Sequence, residues 1–105
     1  SVVSINYITG SSKKIETMSL SRRALPEGSK VIIIDDFMKA GGTAKGMMDL
    51  MEEFKAQVLD LGVLVKTATP TKKLVNDYTA LSVLKEVNEA EGEIIVEPSD
   101  WVLEL

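Results

Sequence analysis

The chain has 105 residues and a formal net charge of −4, from 16 acidic and 12 basic side chains. This length accommodates one small domain or part of a larger one. The excess of acidic side chains opposes charge-driven binding to a nucleic-acid backbone. With no cysteine and no histidine, the sequence excludes disulfides, zinc sites built on those residues, and any catalytic step that requires imidazole.

The apolar segments of the chain are short. The longest run, residues 31–34, is far below the length that spans a bilayer, and the amino terminus lacks the pattern of a signal peptide. We therefore expect a cytoplasmic protein without membrane contact. Because the sequence opens at Ser1 without a methionine and enters a strand-like pattern at once, we also expect it to derive from a longer protein.

Two strand-like segments open the chain. Apolar residues alternate with polar ones around Ile5 and Tyr7, and again around Met18 and Leu20. The polar residues 9–14 between them include a glycine and two serines. This arrangement predicts a β-hairpin with an exposed, flexible loop.

A third strand follows the hairpin. Residues 26–29 contain a proline and a glycine, which is typical of a turn, and they lead into the apolar run 31–34. All four residues of this run are β-branched. Such a run predicts a strand that is buried on both faces, as in the centre of a parallel sheet.

A helix and a further strand complete a repeating unit. Apolar residues recur at helical spacing within residues 44–54, and residues 58–65 are again apolar around Gly62. The apolar helix positions are Met47, Leu50, Met51 and Phe54. Strand, loop, helix and strand predict a βαβ unit with parallel strands, so the predicted fold class is α/β with a parallel sheet core.

The last third of the chain carries weaker patterns. Residues 74–87 fit either a helix or a strand, although the β-forming residues 78–84 favour a strand. Residues 93–97 predict a final short strand that Pro98 ends.

The loop between the third strand and the helix has the features of a phosphate site. Gly41 and Gly42 lack side chains where backbone N–H groups must approach an anion, and the start of the helix adds the positive end of its dipole. Thr43 offers a hydroxyl donor and a candidate N-cap, while Lys39 adds a positive charge.

Two acidic residues stand beside this loop. Asp35 and Asp36 follow the apolar run at the carboxyl end of the predicted strand, where open α/β sheets bind ligands. Paired carboxylates can accept hydrogen bonds from vicinal hydroxyls. Two acids or a Gly-Gly-Thr triplet alone would often be structural, but their combination in this order predicts a site for a phosphorylated sugar.

Residues 31–43, Val-Ile-Ile-Ile-Asp-Asp-Phe-Met-Lys-Ala-Gly-Gly-Thr, resemble the 5-phosphoribosyl 1-pyrophosphate motif of type I phosphoribosyltransferases. Together with residues 3–12 and 17–20, they are similar to the purine operon repressors of Gram-positive bacteria. The resemblance is strongest up to about residue 65. It implies a type I phosphoribosyltransferase-like fold truncated at its N-terminal side, with the winged-helix DNA-binding domain and the pyrophosphate-gripping loop outside this sequence.

The resemblance also implies a role for each site residue. Asp35 and Asp36 would hold the ribose hydroxyls of 5-phosphoribosyl 1-pyrophosphate. The loop that would hold the 5-phosphate comprises Lys39, Ala40, Gly41, Gly42 and Thr43. No catalytic residue and no dedicated metal ligand is implied, and whether Mg²⁺ accompanies the effector is left open. Lys39 replaces a usual small residue and Ala40 the usual threonine of the enzymes, which favours sensing over catalysis.

Three functions are compatible with these features. The first is an effector-sensing domain of a repressor of purine biosynthesis and transport genes, acting as a homodimer and reaching operator DNA only through its N-terminal domain. The second is a catalytic purine phosphoribosyltransferase. The third is an α/β module with a glycine loop whose main role is dimerisation.

Overall fold

The computed structural model describes residues 1–9, 13–85, 90 and 92–105. The elements in chain order are β1 Val2–Ile8, β2 Ile15–Ser21, β3 Lys30–Met38, α1 Gly42–Glu53, β4 Gln57–Thr67, β5 Thr79–Leu84, β6 Val96–Pro98 and α2 Asp100–Leu103. The predicted α/β class is confirmed. Within the described ranges, no helix combines the length and apolarity needed to cross a bilayer.

Strands β1 and β2 form the predicted hairpin as a separate two-stranded antiparallel sheet. Their pairing runs without a break from Val2 opposite Ser21 to Ile8 opposite Ile15. Residues 10–12 of the predicted loop lie outside the described residues, so the flexibility of that loop stays a prediction. The hairpin packs on α1, where Gly46 lies so close to Tyr7 that an added Cβ would stand 2.8 Å from the Tyr7 Cβ.

The main sheet has the strand order β3-β4-β5-β6. Strands β3, β4 and β5 are parallel, as the predicted βαβ unit requires, whereas β6 pairs antiparallel with β5. The final strand was expected at residues 93–97 and to end before Pro98, but β6 spans Val96–Pro98. This boundary was wrong because β6 is an edge strand, and an edge strand tolerates a proline that donates no ladder hydrogen bond.

The core lies between the sheet and helix α1. Leu61 and Val63 of β4 are almost completely buried, and they pack in one cluster with Ile33 of β3 and with Leu50 and Phe54 of α1. The predicted apolar face of the helix is therefore confirmed. Val3 of β1 belongs to the same cluster, so the hairpin packs against α1 in this core.

The opposite face of the sheet is open in the described part of the chain. Ile32 and Ile34 expose 62% and 69% of their surface, and Leu64 and Leu81 are exposed as well. The prediction that β3 is buried on both faces is thus wrong for this chain. A β-branched run favours an extended strand, but burial also requires an element to cover each face, and the described helices cover only one.

The C-terminal part of the chain is hydrogen-bonded to β5. Strand β5 confirms the predicted strand at residues 78–84. Residues 86–89 are not among the residues that the structure describes. The Ala80 carbonyl oxygen accepts hydrogen bonds from the Ser99 hydroxyl (2.6 Å) and from the Trp101 indole N–H (2.7 Å). These bonds fix the start of α2 at the edge of the sheet.

Candidate functional site

The glycine loop connects β3 to α1 and sets where the helix begins. Gly41 has φ 93° and ψ 15°, a left-handed conformation that glycine adopts at little cost, and it is the N-cap of α1. Its carbonyl oxygen accepts the first helical hydrogen bond, from Lys45 N–H at 2.9 Å. The expectation that Thr43 is the N-cap was therefore wrong: the helix begins at Gly42, and Thr43 lies in its first turn.

The first turn of α1 presents free backbone donors. The N–H groups of Gly42, Thr43 and Ala44 precede the first helical hydrogen bond, and no acceptor for them is found among the described residues. No side chain caps the helix, and the first turn carries no acidic residue. The positive end of the helix is therefore available to an anion.

A cavity of about 160 Å³ opens at this loop. It brings together all the predicted site residues except Asp36. The lining residues are Thr9, Asp35, Phe37, Met38, Lys39, Ala40, Gly41, Gly42, Thr43 and Ala44. Sequence reasoning missed four of them. Phe37 and Met38 lie inside the recognised segment and Ala44 directly follows it, so these three could have been included. Thr9 comes from the hairpin, next to the end of β1, and carried no signal of a site.

The two acidic residues lie in the carboxyl-terminal part of β3, as predicted, but they are not its last residues. The strand continues to Met38, with Asp35 opposite Val63 and Phe37 opposite Val65 of β4. Asp35 is half-buried, and its Oδ1 accepts the backbone N–H of Asp36 at 2.8 Å. Asp36 is exposed and does not line the cavity.

Asp35 forms no ion pair among the described residues. Burial raises the pKa of this carboxyl above its usual value, the N–H donated by Asp36 lowers it, and the Asp36 side chain raises it further. A group that brings hydroxyl donors or a cation to Asp35 would relieve this destabilisation. Asp35 lines the cavity, and the recorded hydrogen bond to its carboxylate is the one that Oδ1 accepts from the Asp36 N–H.

The glycine loop rests on the segment 68–74 that follows β4. The Leu74 N–H donates to the Ala40 carbonyl oxygen at 2.8 Å. A Cβ added to Gly41 would stand 3.2 Å from the Leu74 nitrogen and 3.6 Å from the Lys73 Cβ. Glycine at position 41 is therefore favoured both by the backbone conformation and by this close approach.

The acidic side chains at this site are also the candidate metal ligands. No group of three or more histidine, cysteine, aspartate or glutamate side chains suited to a metal ion occurs in the described ranges. Adjacent carboxylates such as Asp35 and Asp36 fit a Mg²⁺ ion that keeps several waters and takes its other oxygens from a phosphorylated ligand. Within the described part of the chain, the side chains offer partial ligation of this kind and no closed site of three or more protein ligands.

Comparison with known proteins identifies the family. The sequence profile of the phosphoribosyl transferase domain matches residues 2–100. The purine biosynthesis transcriptional repressor PurR of Bacillus subtilis (strain 168) is 47% identical over 102 residues, covering 97% of this chain and 36% of that protein. The xanthine phosphoribosyltransferase of Lactococcus lactis subsp. cremoris (strain MG1363) is 35% identical over 91 residues, covering 84% of this chain and 46% of the enzyme.

A solved structure shares the fold. It is the adenine phosphoribosyltransferase of Saccharomyces cerevisiae, with a TM-score of 0.65 and 21% identity over 76% of this chain and 44% of that one. Parallel strands, glycine loop and helix thus define an α/β domain of phosphoribosyltransferase type. The chain belongs to the phosphoribosyl transferase domain family. Its predicted resemblance to the purine operon repressors is confirmed, and it spans about a third of the length of the regulator that it matches.

Proposed function

We propose that this chain is the effector-binding part of a cytoplasmic transcription regulator, a repressor of purine biosynthesis and transport genes, and that its effector is 5-phosphoribosyl 1-pyrophosphate. The similarity to a purine repressor over nearly the whole chain supports the regulatory role. The similarity to a xanthine phosphoribosyltransferase supports a phosphoribosyl ligand in the same fold.

One observation carries the proposal of a phosphate ligand. The free N–H groups of Gly42, Thr43 and Ala44 open into a cavity that also contains the half-buried carboxylate of Asp35. Donors at one end and an acceptor at the other match a sugar with a phosphate on one side and hydroxyls on the other. A ligand with only one of these groups would leave half of the site unpaired.

The proposed binding mode assigns each end of the ligand. The 5-phosphate would accept hydrogen bonds from the first turn of α1, with Lys39 adding a positive charge at the rim. The ribose hydroxyls would donate to Asp35, and Asp36 would reach the ligand from beside the cavity. Mg²⁺, where it accompanies the effector, would neutralise the pyrophosphate and share these carboxylates.

We propose sensing without catalysis. Lys39 and Ala40 replace the small residue and the threonine usual in the enzymes, which removes one hydroxyl donor from the phosphate loop. The effector would bind more tightly to one of two states of a homodimer and would thereby increase the population of that state. Because the two states would differ in their affinity for DNA, effector binding would change DNA binding. Operator contact would come from residues outside this chain, because the chain itself is acidic.

The alternative is a purine phosphoribosyltransferase, and one experiment separates the two. The intact protein is titrated calorimetrically with 5-phosphoribosyl 1-pyrophosphate and Mg²⁺, and then incubated with adenine, guanine, hypoxanthine or xanthine while pyrophosphate release is followed. We expect saturable binding and no nucleotide formation. Absence of binding would refute the proposed effector, and pyrophosphate release with any of the bases would establish the enzyme.

A further inference from the structure

Lys73 is a buried lysine beneath the glycine loop. Only 6% of its surface is exposed, whereas its neighbour Lys72 is exposed. Its ammonium group donates to the Thr67 carbonyl oxygen at 2.8 Å and to the Thr67 hydroxyl at 3.0 Å. Both acceptors belong to the last residue of β4, so Lys73 closes the segment 68–72 into a short loop.

The residue after Lys73 is bonded directly to the phosphate loop. Leu74 N–H donates to the Ala40 carbonyl oxygen at 2.8 Å, and the Cβ direction of Gly41 points to this nitrogen. A change in the position of residues 73–74 would therefore move Ala40 and Gly41. Through Gly41, the N-cap of α1, it would also alter the direction of the free N–H groups.

The ammonium group of Lys73 has no carboxylate partner among the described residues. Burial lowers the pKa of Lys73, and the nearby charge of Lys66 lowers it further. Lys66 itself lies over the Tyr78 ring, 5.3 Å from its centroid, and is 3.4 Å from the Tyr78 hydroxyl. Burial of an unpaired positive charge is unfavourable for the fold alone, so a contribution to a neighbouring anion site would account for it.

We propose that Lys73 is a positioning residue for the phosphate site, tying the end of β4 to the glycine loop through Thr67 and Leu74. The inference rests on the proposed function, in that the anion it serves is the 5-phosphate of the effector. Lys73 does not line the cavity, so the proposed role is not a direct contact with the ligand. It acts by holding the Ala40 carbonyl, and with it the left-handed Gly41, in the conformation that presents the helix donors.

The test compares Lys73→Met with Lys72→Met in the intact protein. Both variants remove one positive charge from adjacent residues, but only the first removes the bonds to Thr67. Affinity for 5-phosphoribosyl 1-pyrophosphate is measured by calorimetry, at a temperature where thermal melting shows each variant to be folded. We expect at least about a tenfold loss for Lys73→Met, the equivalent of one or two hydrogen bonds, and no change for Lys72→Met.

Two further measurements separate positioning from general stability. Lys73→Arg keeps a cationic donor and is therefore expected to retain most of the wild-type affinity. A loss caused only by general instability would not depend on whether residue 73 carries a donor. In the wild-type protein, hydrogen exchange of the Leu74 amide is expected to slow as inorganic phosphate is added, because Leu74 is bonded to the loop that binds it. This second measurement does not depend on the folding of any variant.

The experiments distinguish a failure of the role of Lys73 from a failure of the proposed function. If the wild-type protein does not bind the effector, the proposed function fails. If the wild-type protein binds but folded Lys73→Met binds equally well, or if Lys72→Met loses as much, the role of Lys73 is refuted. Leu74 exchange that is unchanged while phosphate saturates the wild-type protein would likewise refute it.

Discussion

The two halves of the candidate site are built differently. The carboxylates of Asp35 and Asp36 form no ion pair among the described residues, and burial makes the charge of Asp35 unfavourable for the fold. The glycine loop, in contrast, is bonded to Leu74 through Ala40 and begins the core helix at Gly41. The acidic half is therefore expected to serve the ligand alone, whereas the glycine half serves the ligand and the fold together.

The largest expected effect is that of Asp35→Asn with Asp36→Asn. Charge-assisted hydrogen bonds contribute roughly 1.5 to 3 kcal/mol each, so losing both should weaken binding of 5-phosphoribosyl 1-pyrophosphate by about a hundredfold or more. Stability should not fall, because the amide oxygen that the substitution leaves at position 35 can still accept the N–H of residue 36. Calorimetric titration of the intact protein and thermal melting measure both quantities.

Two results for this double variant would contradict a role of the acids in ligand binding alone. An unchanged response to the effector would refute the ribose assignment, while a clear drop in melting temperature would show that the acids support the fold. Asp77→Asn, which alters an exposed carboxylate outside the cavity, is the matched control and should change neither measurement.

Gly41→Ala should lower binding and stability together. A residue with a side chain costs about 1 to 2 kcal/mol in the left-handed conformation of Gly41, and the added Cβ would also crowd the Leu74 nitrogen at 3.2 Å. We expect a loss of about 2 kcal/mol in the free energy of unfolding and about a tenfold loss of affinity, because the loop must shift away from its phosphate-binding conformation. Chemical denaturation and calorimetry measure the two losses.

Gly28→Ala is the matched control for this change. Gly28 also has a left-handed conformation, with φ +83°, but an added Cβ would meet nothing within 4 Å. It should therefore show the cost of the conformation alone and leave affinity unchanged. Equal effects of the two substitutions on affinity would contradict a specific role for the position of Gly41.

Gly46→Ala tests a glycine that serves packing alone. Alanine is favoured over glycine by about 1 kcal/mol inside a helix, but here its Cβ would stand 2.8 Å from the Tyr7 Cβ, and overpacking costs about 1 to 3 kcal/mol. We expect a net loss of stability of about 1 kcal/mol by chemical denaturation. In a Tyr7→Gly background the same change should become stabilising, and persistence of the loss there would mean that the hairpin contact is not its cause.

The smallest expected effect is the pH dependence of Asp35→Asn. Because the folded-state pKa of Asp35 is raised, the native state binds more protons than the unfolded state between its ordinary pKa of 3.8 and the raised value, and its stability falls as pH rises through that interval. Above it, the asparagine variant should be more stable than the wild type by no more than about 0.5 kcal/mol, since solvent screens a half-exposed charge.

Denaturant unfolding of both proteins from about pH 3 to about pH 7, a range that brackets the ordinary carboxyl pKa, measures this small difference. The advantage of the variant should shrink as the pH approaches 3.8 and disappear below it. A variant that is less stable than the wild type at neutral pH would show that the Asp35 charge has a stabilising partner after all.

Local patterns were sufficient to predict most elements. The helical spacing of Met47, Leu50, Met51 and Phe54, and the β-branched run that begins β3, depend on side-chain periodicity, which a sequence displays directly. The same holds for the adjacency of acids and glycines in residues 31–43. All five predicted loop residues line one cavity because they are consecutive in the chain, so no long-range contact was needed to bring them together.

Where a position depends on another segment, the sequence was insufficient. Helix α1 begins at Gly42 instead of near Ala44, so Thr43 is not its cap. This start follows from the left-handed conformation of Gly41, which lies against Lys73 and Leu74. The exposure of Ile32 and Ile34 likewise depends on which elements cover the sheet, and not on the strand.

Thr9, Lys73 and Leu74 show the same limit at the site itself. Each is brought to residues 39–44 by a different tertiary contact: the packing of the hairpin on α1, the bonds of Lys73 to the end of β4, and the bond of Leu74 to Ala40. A sequence reports periodicity and neighbours along the chain, so it determined the strand, the acids and the glycine loop. Only the folded arrangement decided which distant residues complete the cavity and support it, because those contacts join segments that no local pattern relates.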